Sequence, residues 1–297
     1  MSDPGDRADA GNYSDEYYES EDGLRLHYRD YRPPGGADDR PPVFCLPGLT
    51  RNCRDFEAIA RHLSQDLSPG RRVISPDFRG RGLSDYDPEW RNYHPLTYVR
   101  DVEKLVAELG LERIVCLGTS LGGLVSMTLN QRRPQLVDRV ILNDVGPEIA
   151  PEGLARIMGY AGRTPDIRSW EDAVALSKAN YGVAYPDLTD EEWLAYARTA
   201  YREDEHGVPR LDCDPKIGDA LREVGGELDD PWVLFAGLAE TPTLVIHGML
   251  SDILTDEIVA KMRAAKPDLE VLPVPNRGHV PMLNEPACLA GIDAFLA

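Results

Sequence analysis

Short apolar runs recur along the chain, each closed by glycine, proline, aspartate or a polar turn. They are VFCLPG (43–48), RVISPD (72–77), RIVCLG (113–118), RVILND (139–144), PTLVIHG (242–248) and LEVLPV (269–274). Runs this short, without polar alternation, suit strands buried on both faces of a mainly parallel sheet. Between them lie amphipathic stretches at 54–65, 97–109, 121–132, 255–265 and 284–296, with Thr97, Thr255 and Asn284 placed as N-caps. This alternation predicts a doubly wound α/β sheet. Ligands of such sheets bind beyond the carboxyl ends of the strands, so the residues closing each run are where chemistry belongs.

Two segments depart from the pattern. DEYYES and LRLHYRDY flank Glu21-Asp22-Gly23, a turn signal that predicts an opening hairpin. Between Asp144 and Pro242 no buried strand is expected; 152–160, 169–180, 189–203 and 230–237 read as short helices, with Ser169 and Thr189 in cap position. The chain therefore divides into a flexible acidic tail (1–14), a core (15–146 and 241–297) and a helical cap (147–240).

Charge and cysteine usage exclude several function classes. The net charge of −19 opposes binding to phosphate backbones and anionic lipid, so no nucleic-acid partner is expected. No run of apolar residues is long enough to span a membrane, and the acidic start MSDPGDRADAG lacks the basic and apolar parts of a secretory leader. The five cysteines are widely spaced, with no CxxC pair, which fits reduced structural thiols in a cytoplasmic protein and no zinc cluster. A homo-oligomer is compatible with all of this.

Gly118-Thr119-Ser120-Leu121-Gly122 reads G-x-S-x-G. Alone the pattern is weak, but here it follows the strand IVCLG and opens the helix LGGLVSMTLNQ, the setting of a nucleophile elbow. A serine so placed needs a base, and the base needs an orienting acid. Of the six histidines, His206, His247 and His279 follow Ser120. His206 sits in the polar stretch REDEHGVPR, and His247 ends a strand; His279, in PNRGHVPML between the last strand and last helix, is the expected base. Asp252, in the loop GMLSDIL, is the expected acid from its position and the chain order Ser, acid, His. Asp144, one strand earlier at the same edge, is its rival. The expected oxyanion donors are the backbone N–H groups of Leu121 and of Leu49, the latter after Pro47-Gly48.

LPGLTRN, SPDFRGRGLSD, GTSLGG, GMLSD and GHVPMLNEP occur in the order and spacing of the α/β-hydrolase superfamily, which the chain resembles from about residue 16 to 297. Its look is that of the capped, esterase-like branch that includes hydrolases of ring-cleavage products. The resemblance implies an eight-stranded, mostly parallel sheet with a helical cap, a triad of Ser120, Asp252 and His279, oxyanion donors at Leu49 and Leu121, and a reaction with neither metal nor organic cofactor. Many relatives have His-Gly where this chain has Pro47-Gly48, and ring-cleavage hydrolases tend to be more aromatic after the histidine than Val-Pro-Met-Leu. A serine at 120 argues against epoxide hydrolases and haloalkane dehalogenases, which use aspartate there.

The resulting expectation is a serine hydrolase of small to medium carboxylic esters. The alternatives are a carbon–carbon hydrolase of a dienoate-type product and a ligand sensor on the same fold. Trp170, Trp193, Trp232 and the cap tyrosines 160, 181, 185, 196 and 201 are expected mostly to pack the cap's own core. Arg51, Asn52 and Arg54 stand near the first donor, where they either touch a polar substrate group or start a solvated helix.

Overall fold

The computed structural model describes residues 13–36, 39–224 and 230–297. Its strands are β1 (Ser14–Glu19), β2 (Arg25–Tyr31), β3 (Val43–Leu46), β4 (Val73–Pro76), β5 (Ile114–Thr119), β6 (Val137–Asn143), β7 (Tyr201–Glu203), β8 (Pro209–Leu211), β9 (Thr243–Gly248) and β10 (Glu270–Val274). Eight of them form one sheet in the order β1-β2-β4-β3-β5-β6-β9-β10. β2 pairs antiparallel with β1 and β4, and every other pairing is parallel. Most of the tail expected at 1–14 lies outside the described residues, and Ser14 already belongs to β1, paired with Asp30.

The apolar runs do what their composition requires. Successive side chains of a strand point to opposite faces. Phe44 and Leu46 of β3 join Ile74, Cys116 and Leu142 in one core layer, and Val43 and Cys45 join Val73, Val115 and Ile141 in the other. Each such fully buried aliphatic side chain contributes roughly 1.5–3 kcal/mol. Helices Pro95–Glu108, Leu121–Arg132 and Asp256–Ala265 cover the first layer, while Glu57–Arg61 and Pro286–Leu296 cover the second. Thr255 caps its helix as expected, but His94 and Glu285 stand at the N-caps assigned to Thr97 and Asn284, each followed by a helix-starting proline. All five cysteines are free and buried.

The insertion holds helices Pro151–Tyr160, Trp170–Tyr181, Asp190–Ala200, Ile217–Val224 and Pro231–Ala236. Ser169 caps the second, and Thr189 forms a capping box with Glu192 on the third. The helix read through residue 203 stops at Ala200, and a hairpin of β7 and β8 follows. Asp204 closes it by accepting from the N–H groups of His206 and Val208, a local bond that competes with helix. Helix Ile217–Val224 falls outside the expected helices, although its apolar residues at 217, 220, 221 and 224 recur at helical spacing. Among the described residues, no helix is long and apolar enough to cross a membrane.

Candidate active site

Ser120 stands at the sharp turn from β5 into helix Leu121–Arg132, with φ +52° and ψ −114°. That backbone is costly for any residue with a Cβ and persists where the surroundings hold it. Here the Ser120 N–H donates to Asn143 O at 3.2 Å, and its carbonyl accepts from Gly123 N at 2.8 Å. The flanking glycines are sterically required. A Cβ on Gly118 would lie 2.3 Å from Gly122 O, and one on Gly122 would lie 2.0 Å from Leu46 O.

Two further loops converge on this turn. After β10, His279 presents Nε2 at 3.0 Å from Ser120 Oγ. After β6, Asp144 turns back with φ +54°, fully buried, and places Oδ2 at 2.8 Å from His279 Nδ1. The Asp144 carboxylate also accepts from Gly248 N (2.9 Å) and from Ser251 Oγ (2.6 Å). Three donors thus fix its plane, and the imidazole is the one among them able to pass a proton onward.

The acid expected at Asp252 is corrected by this geometry. Asp252 lies in the anticipated loop, but its carboxylate is clamped by Arg156 of the insertion, Nε at 2.5 Å and Nη2 at 2.8 Å. Burial opposes its ionisation, yet the hydrogen bonds and charge of Arg156 hold its pKa below the ordinary value. The neighbouring Ser251 reaches Asp144 instead, so this loop serves the histidine through its serine. His206 is exposed, and His247 is buried at the end of β9 with Nε2 2.9 Å from Leu254 O.

Leu121 is the first residue of the helix after Ser120, and Ser120 Oγ makes no cap bond to that helix. Leu49 lies across the site: a Cβ on the preceding Gly48 would be 3.9 Å from Ser120 Cβ. Gly48 to Arg51 forms a β-turn, with Arg51 N donating to Gly48 O at 3.2 Å. Its central carbonyl, that of Leu49, accepts two bonds from the fully buried Arg81, Nε at 2.9 Å and Nη2 at 2.7 Å. Nη1 of Arg81 donates to Arg79 O and to Tyr98 Oη, and the guanidinium lies 4.8 Å from the Tyr98 ring. The orientation of the central peptide decides the type of a β-turn, so Arg81 fixes the turn that carries Leu49.

The insertion also holds the histidine loop. Tyr185 Oη donates to Val280 O (2.7 Å) and accepts from Val280 N (3.1 Å), while Ala184 O accepts from Gly278 N at 2.7 Å. His279 is thereby pinned on both sides. Neither Arg81 nor Tyr185 was singled out from sequence for this; only the long-range contact reveals them. Asn52 is buried and caps the turn Cys53–Phe56 while bonding Thr199 O, and Arg54 pairs with Asp212 at 2.7 Å. Arg51 faces the cavity.

That cavity, about 550 Å³, opens over Ser120 and His279. Gly48, Leu49 and Arg51 line its core side, and Ile157, Tyr160 and Tyr196 line its cap side. The cap aromatics are therefore divided: Trp193 is buried against Tyr185 and Tyr196, whereas Tyr160, Tyr181, Tyr185 and Tyr196 all border the cavity, Tyr185 with most of its ring buried. Away from the site, His27, Cys53 and Asp77 bring potential ligand atoms within 4.8 Å of one another. The histidine and the carboxylate are engaged already: Asp77 accepts from His27 Nδ1 (2.7 Å) and from the main-chain N–H groups of Cys53 (2.7 Å) and Leu83 (2.9 Å), a set that fastens β2 to the loop after β4.

Residues 41–286 match the model of the alpha/beta hydrolase fold family. The chain belongs to that family. A crystal structure of an alpha/beta hydrolase from Novosphingobium aromaticivorans superposes with a TM-score of 0.89 at 43% identity, covering 97% of this chain and 99% of that one. A 3-hydroxybutyrate-oligomer hydrolase of Cupriavidus necator is 32% identical over 283 residues, 91% of this chain and 93% of its own length. A 2-(acetamidomethylene)succinate hydrolase of Mesorhizobium japonicum is 27% identical over 243 residues, 80% of this chain and 81% of its own length. The family and these relatives make the chain a hydrolase.

Proposed function

We propose that this hydrolase cleaves carboxylic esters through an acyl intermediate on Ser120. The observation that carries the reading is the continuous relay from Ser120 Oγ to His279 Nε2 and from His279 Nδ1 to Asp144. As Ser120 Oγ attacks the ester carbonyl, His279 takes the hydroxyl proton, and Asp144 stabilises the imidazolium. The N–H groups of Leu49 and Leu121 stabilise the tetrahedral oxyanion. Collapse breaks the bond to the alcohol, which leaves with the proton from His279. Water then attacks the acyl-enzyme by the same steps and releases the acid. A named relative that acts on 3-hydroxybutyrate oligomers agrees with an ester-cleaving reading.

A screen of aryl acetates, butyrates and hexanoates beside a dienoate-type ring-cleavage product tests this. Ester turnover is expected to dominate; preferential turnover of the dienoate would replace the ester reading with carbon–carbon hydrolysis. Stoichiometric acylation without turnover would favour a sensor.

Arg81 acts in this scheme as a positioning residue, since it touches the Leu49 carbonyl and not the reacting atoms. Arg81→Met is expected to lower kcat about 10- to 100-fold, part of the 100- to 1,000-fold that losing an oxyanion donor costs. KM should change little, and a boronate mimic of the tetrahedral state should bind correspondingly weaker. Arg81→Lys should recover part of both. A fall in melting temperature with kcat and boronate affinity intact would assign Arg81 to stability alone.

A further inference from the structure

A second cavity, about 780 Å³, lies between the insertion and the core residues Thr50, Arg51 and Tyr86, and shares a wall with the one over Ser120. Thr50, Arg51, Tyr160, Tyr181 and Tyr196 line both, so what separates the two spaces is largely one layer of side chains. The tyrosine rings form a row: Tyr160 and Tyr181 have centroids 6.0 Å apart, and Tyr181 and Tyr196 are 5.7 Å apart. Arg51 completes the layer, 4.8 Å from the Tyr196 ring and held by Asp55 (2.8 and 2.6 Å) and Thr199 Oγ1 (2.6 Å). Beyond it the wall is mixed: Pro165, Ile167, Leu176, Leu211, Cys213 and Pro215 form an apolar part, beside Arg156, Arg163 and Arg210.

Resting on the ester reading above, we infer that the second cavity binds the apolar distal arm of an elongated ester, admitted by movement of the tyrosine layer. Three features support this occupant. The catalytic cavity is sized for a small-to-medium ester, and the space that extends it is reached by displacing rings rather than backbone. Side-chain rotamer changes are among the fastest motions a protein makes, so such a layer opens at little cost in time. The apolar part of the far chamber's wall, from Pro165 and Ile167 to Leu176 and Leu211, rewards an alkyl arm laid along it: each methylene taken from water there is worth roughly fourfold in affinity.

Gly159 supplies a selective probe. It lines the second cavity and not the first, and a Cβ built there meets nothing within 4 Å. Gly159→Phe fills the chamber from a helix position where glycine is a poor helix former, so the fold should be retained, which circular dichroism checks. 4-Nitrophenyl butyrate and dodecanoate are compared in wild type, Gly159→Phe and Leu176→Phe. Wild type should hydrolyse the dodecanoate with kcat/KM at least equal to that for the butyrate. The filled variants should lose tenfold or more on the dodecanoate and less than twofold on the butyrate. Equal losses on both esters, no loss on either, or a wild type confined to the butyrate would overturn the proposal while leaving the ester reading in place. If neither ester is turned over, the ester reading falls, and equilibrium binding of dodecanoate decides the chamber. Binding weakened tenfold by Gly159→Phe supports it, and binding that is absent or unchanged removes it.

Discussion

Replacing Asp144 by asparagine is expected to lower kcat by about 10,000-fold, whereas Asp252→Asn lowers it less than tenfold. The reason lies in the donors around the Asp144 carboxylate. Gly248 N–H and Ser251 O–H both point at it, together with His279 Nδ1. A carboxylate accepts from all three, but an amide has one accepting oxygen. With that oxygen on the Gly248 N–H, the amide NH2 faces the imidazole and selects the tautomer protonated on Nε2. His279 then turns a donor toward Ser120 and stops being a base for it. Asp252→Asn only weakens a partly exposed pair with Arg156, whose side chains are 27% and 37% accessible. Pairs of that kind contribute roughly 0–1 kcal/mol. Steady-state kinetics on one aryl ester, with circular dichroism to confirm folding, separates the two. The reverse ranking would restore Asp252 as the acid.

Ser120→Ala is expected to reduce turnover by about a million-fold, the scale seen when a serine nucleophile is removed from an intact relay. The fold should survive. Alanine keeps the Cβ and therefore the same strained backbone at φ +52°, and Ser120 Oγ makes no cap bond to the helix that follows. Glycine at 120 would relieve that strain, so Ser120→Gly should be equally inactive yet melt above Ser120→Ala, by a margin set by roughly 1–3 kcal/mol. A glycine variant no more stable than the alanine one would show that the elbow stores no strain. Residual activity near wild type in either would move the nucleophile elsewhere.

Much of this site was legible because steric and chemical demands are local. The two glycines around Ser120 answer contacts with Gly122 O and Leu46 O that any such elbow creates. His279 was identifiable from its loop between the last strand and last helix. The acid was not legible. Asp144 and Asp252 both end up beside strand ends at one edge of the sheet, and chain order permits either. What decides between them is the left-handed backbone at Asp144 and the arrival of Arg156 from the insertion, 96 positions away from Asp252 in sequence. Arg81 and Tyr185 stayed hidden for the same reason: each acts on a main-chain carbonyl, and main-chain partners leave no residue-type signature. The insertion was read as all helix because its hairpin strands, Tyr201–Glu203 and Pro209–Leu211, are too short to show a period.

The most direct test is to map the covalent intermediate. Protein treated with a fluorophosphonate, or quenched in acid during turnover of an aryl ester, is digested and sequenced by mass spectrometry. The adduct should sit on Ser120 alone, form at a fraction of the wild-type rate in Asp144→Asn, and be missing in Ser120→Ala. An adduct on any other residue, or steady turnover with no acylated serine at any quench time, would contradict the relay.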